Sequence, residues 1–245
     1  PLFYSLTQKK LIFASELPAL LILSQDKAEL NVQRAYDYLI SGVVDSGIET
    51  FINGVSHVPP GHCVRVDLSM KPLIQKVFRW WTPSVAETFH GSFEQAAEML
   101  RDLFLESVKL HLRSDVPLGV ALSGGVDSSA IACAMRFLEP DMDIHTFSYI
   151  SSDNCLSEEA WIDVINGHVK AIPHKVYISE EDFIRDLPAL ILAQGEPFGG
   201  TSIYAQYCIF RRAKDSGVTV VLEGQGGDEL LGGYVGYPGQ MMLSY

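Results

Sequence analysis

The sequence predicts an α/β domain built on a doubly wound parallel sheet, preceded by a smaller α+β region. Beyond Ser92, short apolar runs alternate with segments of helical periodicity, the pattern of a parallel sheet with crossover helices. Two of those runs are mostly apolar: Val116 to Leu122 has no polar side, as a strand buried on both faces would, and Val218 to Leu222 is apolar but for Thr219. Before Ser92 the alternation is absent, and short hydrophobic runs sit among turns and two short helical patterns.

Composition sets the limits. With 245 residues, 47% hydrophobic, 20 Gly and 12 Pro, the chain has material for a folded core or two and none of the bias of disorder. It carries 18 basic against 30 acidic residues, net −12, without a basic cluster, which argues against a nucleic-acid partner. Cys63, Cys133, Cys155 and Cys208 show no CxxC pairing and read as reduced structural thiols. The longest early apolar run, Leu17 to Leu23, contains Pro18 and follows Glu16, so it is neither a leader nor a membrane span, and a cytoplasmic location is expected. The chain begins at Pro1 without methionine and ends at Tyr245 just past a glycine-rich loop, so a fragment is expected.

Taken in order, Leu2 to Tyr4 and Leu11 to Ala14 flank Gln8-Lys9-Lys10 as a hairpin, with a short helix from Ser15. Asn31 caps a helix with Val32, Ala35, Tyr36, Leu39 and Ile40 in one stripe, ended by Gly42. Pro59-Pro60-Gly61-His62 turns the chain into Cys63 to Leu68, and Val77 to Trp81 closes the region. Residues 82–91 contain Pro and Gly without periodicity and are the expected linker, dividing a region 1–81 from a region 92–245. Ser92 and Gln95 form a capping-box pair ahead of a helix with Phe93, Ala97, Leu100, Phe104 and Val108 on one face. There follow strand Val116 to Leu122, a helix with Ile131, Ala134, Met135 and Leu138, strand Ile144 to Ile150 and helix Glu158 to Ala171. Strand Lys175 to Ile178, helix Glu181 to Ala193 (capped by Ser179 with Asp182), helix Ile203 to Lys214 and strand Val218 to Leu222 complete the alternation.

The chemistry concentrates after the first all-apolar strand, at Ser123-Gly124-Gly125-Val126-Asp127-Ser128-Ser129. Two glycines let backbone N–H groups approach a ligand, and the helix start, with Asp127 or Ser128 as N-cap, adds unsatisfied N–H groups and a positive dipole end. That suits a phosphate. Asp127 would repel one unless a divalent cation lay between them, and Mg²⁺ is the expected ion. The lysine of the GxxxxGK[ST] loop is missing. The second apolar strand runs into Glu223-Gly224-Gln225-Gly226-Gly227-Asp228-Glu229-Leu230-Leu231-Gly232-Gly233-Tyr234. In a parallel sheet its end shares an edge with the first loop, so two glycine-rich loops, each with an Asp, could hold one Mg-nucleotide between them.

Ser-Gly-Gly-Val-Asp-Ser-Ser resembles the pyrophosphate loop of enzymes that split ATP into AMP and pyrophosphate, an adenine nucleotide alpha hydrolase-like fold. The two loops together resemble the glutamine-hydrolysing asparagine synthase family, whose second signature usually reads Ser-Gly-Glu-Gly-Ala-Asp-Glu-Leu-Phe-Gly-Gly-Tyr. Ser157-Glu158, His174 and Glu196-Pro197-Phe198 fall where that family has similar residues. Pro1-Leu2-Phe3-Tyr4, Phe13-Ala14-Ser15-Glu16 and Pro59-Pro60-Gly61-His62 resemble the end of its N-terminal-nucleophile glutaminase domain.

The resemblance implies small-molecule substrates: ATP, aspartate and glutamine. The aspartate carboxylate attacks the α-phosphorus, pyrophosphate leaves, and ammonia from glutamine takes the acyl-adenylate. It places Leu122, Tyr149, Glu223 and Gly224 around the nucleotide, Ser123, Gly124, Gly125, Asp127, Ser128 and Ser129 on pyrophosphate, and Asp127 with Asp228 on Mg²⁺. Gln225 stands where the commoner signature has a catalytic glutamate and is the catalytic candidate. Glu158 and His174 have plainer roles as a helix N-terminal charge and a satisfied polar contact. The family's nucleophilic N-terminal cysteine has no counterpart, and the later part of the synthetase domain is not covered, so this piece alone is expected to be inactive. Another carboxylate, such as a sugar acid, and a non-catalytic nucleotide-binding role are the rival readings. The oligomeric state is not legible in the residues, and a homodimer stays open.

Overall fold

The structure, a computed structural model, describes residues 2–7, 10–25, 27–44, 47–84, 89–153, 157–234 and 236–237. Gln8 and Lys9 of the expected hairpin turn, part of the expected linker, and Cys155 lie outside them. The chain divides into two compact units, Pro1–Thr88 with Ile184–Thr201, and Phe89–Phe183 with Ser202–Tyr245.

In the first unit, β1 (Phe3–Leu6) and β2 (Leu11–Ala14) form the expected antiparallel hairpin, with Leu6 opposite Leu11. Helix α1 (Leu17–Ser24) starts with Pro18 in its first turn, where the missing N–H costs no hydrogen bond. It packs Leu17 and Leu20 against Phe3, Ile12 and Val55. Helix α2 (Val32–Ser41) has the expected caps, Asn31 Oδ1 accepting from Arg34 N at 3.3 Å and Gly42 at φ +70°. Its apolar stripe is not its buried face. Arg34 is buried, donating to Val44 O at 2.8 Å and lying 5.8 Å over the Phe51 ring, whereas Val32, Tyr36, Leu39 and Ile40 are exposed. The two-residue β3 (Ser56–His57) joins β1, giving the order β2-β1-β3, and β4 (His62–Asp67) pairs with β5 (Ile74–Arg79) as a separate antiparallel ribbon.

The second unit opens with α3 (Phe93–His111), where both capping-box bonds are made: Ser92 N to Gln95 Oε1 at 2.9 Å and Gln95 N to Ser92 Oγ at 3.3 Å. Of its predicted face only Val108 is buried and Phe104 partly so; Phe93 and Leu100 are exposed. The alternation then runs β6 (Leu118–Ala121), α4 (Val126–Leu138), β7 (His145–Ile150), α5 (Glu159–Val169), β8 (Ile172–Tyr177), α6 (Glu180–Gln194), α7 (Ser202–Asp215), β9 (Val220–Leu222) and α8 (Gly227–Leu231). The four strands form one all-parallel sheet in the order β8-β7-β6-β9, the doubly wound architecture expected. Ser179 and Asp182 cap α6 reciprocally, as expected.

Side-chain alternation along β7 shows that helices cover it on both sides. Thr146 faces α5, donating to Asn166 Oδ1 at 2.6 Å, while the next residue, Phe147, is fully buried with Ala213 of α7 and Val218. Both faces are covered. On the α4 side, Leu118 and Val120 pack with Ala132, Met135, Ile144 and Val169. β8 begins at Ile172, three residues before the expected Lys175, and takes Pro173 into the ladder opposite Thr146. An edge strand tolerates this because the missing N–H lies on the unpaired side. Lys175 anchors β8 to α5 with ion pairs of 2.7 Å to both Glu159 and Asp163, which hold its ammonium well above the ordinary lysine range. Asp186, Leu190 and the rest of α6 beyond Phe183 belong to the first unit. There Glu196 accepts from Phe51 N at 3.1 Å and lies 3.3 Å from His57 Nε2.

Candidate active site

In the second unit the chain winds from β6 through β7 to β8 on one side, then returns to place β9 on the other side of β6. The strand order reverses between β6 and β9, and a crevice opens there beyond the carboxyl ends. A cavity of about 650 Å³ occupies it, well within the size range of small-molecule sites.

The first wall follows from the end of β6. Leu122 is 1% exposed and donates its N–H to Phe147 O at 2.9 Å, so the sheet stops there and the loop begins. Gly124 has φ +86°, a left-handed conformation open to glycine, and an added Cβ would come within 3.3 Å of Glu158. The expected N-cap is corrected: Gly125, in extended conformation, caps α4, and neither Asp127 nor Ser128 does. Ser128 Oγ is committed inward, accepting from Ser123 N at 3.2 Å and lying 3.0 Å from Ser123 Oγ. The first intrahelical bond runs from Ser129 N to Gly125 O at 3.1 Å, so the N–H groups of Val126, Asp127 and Ser128 precede it, as in an anion-binding helix start.

The second wall is the loop after β9. Val120 pairs with Leu222, which sets Glu223 beside Ala121 at the sheet edge. Gly226, at φ +92°, turns the chain into α8, and Gly227 N bonds back to Gly224 O at 3.1 Å. The loops meet at Asp127. A Cβ on Gly224 would stand 3.0 Å from Asp127 Cβ, and one on Gly227 would overlap the Asp127 carboxylate. Those two glycines are bare because the carboxylate lies against them.

Of the residues expected from sequence, Leu122, Ser123, Gly125, Asp127, Ser128, Tyr149, Glu223, Gly224, Gln225 and Asp228 line this cavity. Gly124 and Ser129 do not; Gly124 shapes the turn, and the buried Ser129 Oγ has no hydrogen-bond partner among the described residues. Sequence reasoning missed Phe147, Ser151, Ile209 and Leu231, and it gave Glu158 only a helix-end role although Glu158 lines the cavity. Ser151 follows the carboxyl end of β7, so the strand-end rule could have found it; Ile209 in mid-helix carries no such signal. His174 lies outside the cavity as a polar contact, 2.9 Å from His145 Nδ1, 3.3 Å from Ser216 Oγ, and stacked 4.7 Å from the Phe147 ring. Burial, then His145, then Arg212 lower its pKa from the ordinary histidine value.

The cavity's charge is one-sided. Asp127, Glu158, Glu223 and Asp228 line it, and no Lys, Arg or His does among the described residues. No cluster of three or more His, Cys, Asp or Glu with metal-site geometry occurs among them either. Cys63 and Cys133 are partly buried and Cys208 is buried, all three free, and burial raises the Cys133 thiol. No helix among the described residues is long and apolar enough to cross a membrane.

Comparison with known proteins adds the family. The asparagine synthase family model matches residues 99–244, and a glutamine amidotransferase domain model matches residues 1–81. A relative from Methanocaldococcus jannaschii is 30% identical over 237 residues, 96% of this chain and 45% of its own length. Asparagine synthetase [glutamine-hydrolyzing] 1 of Bacillus subtilis is 29% identical over 238 residues, 96% of this chain and 36% of its own. The chain thus spans less than half the length of these relatives. Among solved structures it is similar to the NH3-dependent NAD synthetase of Campylobacter jejuni, with TM-score 0.36 and 19% identity over 59% of this chain and 62% of that one. With the family model matching well over half of its residues, and with both glycine-rich loops on one cavity, the chain belongs to the asparagine synthase family.

Proposed function

We propose that the full-length protein is an ATP-dependent amidating ligase that converts aspartate to asparagine with glutamine-derived ammonia, through β-aspartyl-AMP, releasing AMP and pyrophosphate. The observation that carries the reading is the cavity at the switch point, where two glycine-rich loops bring Asp127 and Asp228 to one space without a basic side chain among the described lining residues. A polyphosphate in such a space needs a divalent cation. Two carboxylates suit Mg²⁺, which keeps several waters and is held by one or two carboxylates plus substrate phosphates. When bound, Mg²⁺ would neutralise charge on the phosphates.

The chain's own residues do the rest. The N–H groups at the start of α4 and the Ser123 hydroxyl hold the pyrophosphate, preset by the Ser123–Ser128 bonds. Leu122, Tyr149 and Gly224 flank the nucleoside. Gln225, a neutral donor and acceptor, orients the acyl group. Residues 1–81 correspond to the tail of the glutaminase region, and the protein works in the cytoplasm.

Incubating the full-length protein with aspartate, ammonium and Mg-ATP and separating the nucleotides by chromatography tests this. AMP and pyrophosphate in step with asparagine are expected, because the loop lacks the lysine that draws the terminal phosphate into transfer. ADP as the sole nucleotide product would overturn the reading, and amidation of a different carboxylate would replace the substrate alone.

A further inference from the structure

We infer that Glu223 is the proton acceptor during amide formation and that Gln206 positions its carboxylate, an inference that rests on the amidating reading above. The chemistry creates the need. When neutral ammonia attacks the acyl-adenylate, a C–N bond forms and the nitrogen becomes positively charged. That nitrogen must give up a proton before the C–O bond to phosphate breaks and AMP leaves with the electron pair. An amide nitrogen cannot keep that proton, so an acceptor must take it as the adduct collapses.

The cavity offers few acceptors. Gln225 is an amide and takes no proton near neutral pH. Asp127 and Asp228 would be taken up by the cation in that reading. Glu229 does not line the cavity and accepts from Tyr234 OH at 2.8 Å. No histidine lines the space among the described residues. Two carboxylates are left, Glu158 and Glu223.

Their surroundings separate them. Glu158 precedes α5, and its main chain is its anchor, its carbonyl accepting from Trp161 N at 3.0 Å and Ile162 N at 3.1 Å. The Glu223 carboxylate is held: Gln206 Nε2 lies 3.4 Å from both of its oxygens. Gln206 belongs to α7, one turn before Ile209, which lines the same cavity. The partner's neutrality matters as much as its position. An Arg or Lys there would stabilise the anion and weaken it as a base, whereas an amide orients the carboxylate while leaving its charge uncancelled. General-base work needs a carboxylate placed in this way.

The test uses the full-length protein and reads the two half-reactions separately: aspartate-dependent exchange of pyrophosphate into ATP, and single-turnover amide formation when ammonium is added to preformed enzyme-bound adenylate. For Glu223→Gln, amide formation should fall about 10²-fold or more relative to exchange, the usual range for loss of a general base. Wild type should show an acid limb that the variant lacks, so the variant's amide rate divided by wild type, which cancels the ionisation of ammonia itself, should rise as pH falls. Gln206→Met removes the donor from the carboxylate, so that limb should move to higher pH, a shift that a purely structural role would not produce. Wild-type protein that exchanges no pyrophosphate overturns the adenylating reading and this inference with it. If wild type exchanges and Glu223→Gln slows both half-reactions equally or neither, the base assignment alone fails. It also fails if Glu158→Gln, and not Glu223→Gln, removes the acid limb.

Discussion

The two glycine-rich loops of the second unit look alike in sequence and are built differently. Ser123–Ser129 leaves β6, an interior strand whose Val120 is fully buried, and enters the 13-residue α4. Its hydroxyls bond to its own backbone, so the loop has its shape before anything binds. The loop after Leu222 leaves the edge strand β9 and enters the five-residue α8, with Leu230 and Leu231 exposed and no buried residue in the helix. Among the described residues it is held by turns, by the Gly227–Gly224 bond, by Gln206 on the Glu223 carboxylate and by Tyr234 on Glu229. A similar motif should therefore behave as a rigid cradle in one place and an adjustable flap in another, depending on what the fold packs behind it.

The largest effect should come from the carboxylates. Asp127→Asn and Asp228→Asn should each weaken Mg-ATP binding by tenfold or more, about 1.4 kcal/mol or above, with little change in thermal stability. Calorimetric titration of the full-length variants checks this. Because Asp127 sits in the rigid cradle, its variant should show the greater loss; equal losses would mean that both loops are preformed, and wild-type affinity in both would remove the cation from the two aspartates.

Glycines sharpen the contrast. Gly124→Ala places a side chain at φ +86° and against Glu158, so unfolding of the second unit should become easier by roughly 1–3 kcal/mol. Gly227→Ala has no such backbone strain, and its Cβ meets the tip of the Asp127 side chain, which can turn away. It should leave the melting temperature nearly unchanged while lowering Mg-ATP affinity. Thermal scans with and without nucleotide separate the two, and a stability loss at Gly227 matching that at Gly124 would show the second loop to be as firmly built as the first.

How far the residues announced this follows the same divide. Both loops and the all-parallel sheet were legible because apolar strands and glycine punctuation are local signals, and the capping boxes at Ser92 and Ser179 likewise. The face a helix buries is not local. The α2 pattern specified a two-faced helix, yet the buried side is that of Arg34, whose guanidinium finds a carbonyl and an aromatic ring, while Leu39 and Ile40 are exposed. The inward turn of Ser128 was equally hidden, because an N-cap and a loop-internal bond call for the same residue type. Ile209 and Gln206 reached the site from α7 through packing, with nothing in their neighbourhood to mark them.

The smallest effect concerns the tyrosine that ties the second loop. Tyr234 OH donates to Glu229 Oε1 at 2.8 Å, and this bond, with the negative charge of Glu229 and then of Asp228, pushes the phenol above the ordinary tyrosine value. The sign follows from linkage. A group whose folded pKa is raised adds stability that is fully present below its unfolded pKa, about 10, and that disappears as pH climbs through the folded value. Loop order should therefore be constant from neutral pH to about pH 10 and decline above it, when a phenolate would face two carboxylates. Tyr234→Phe should remove that dependence, giving at neutral pH the faster amide exchange that wild type shows only in alkali, confined to residues 226–234. Because the ring is solvent-exposed at its polar end and the bond competes with water, global stability should hardly move, and the readout has to be local, by hydrogen exchange. Identical exchange in the two proteins at neutral pH would mean that the bond holds nothing and that the turns at Gly226 and Gly232 suffice to shape the flap.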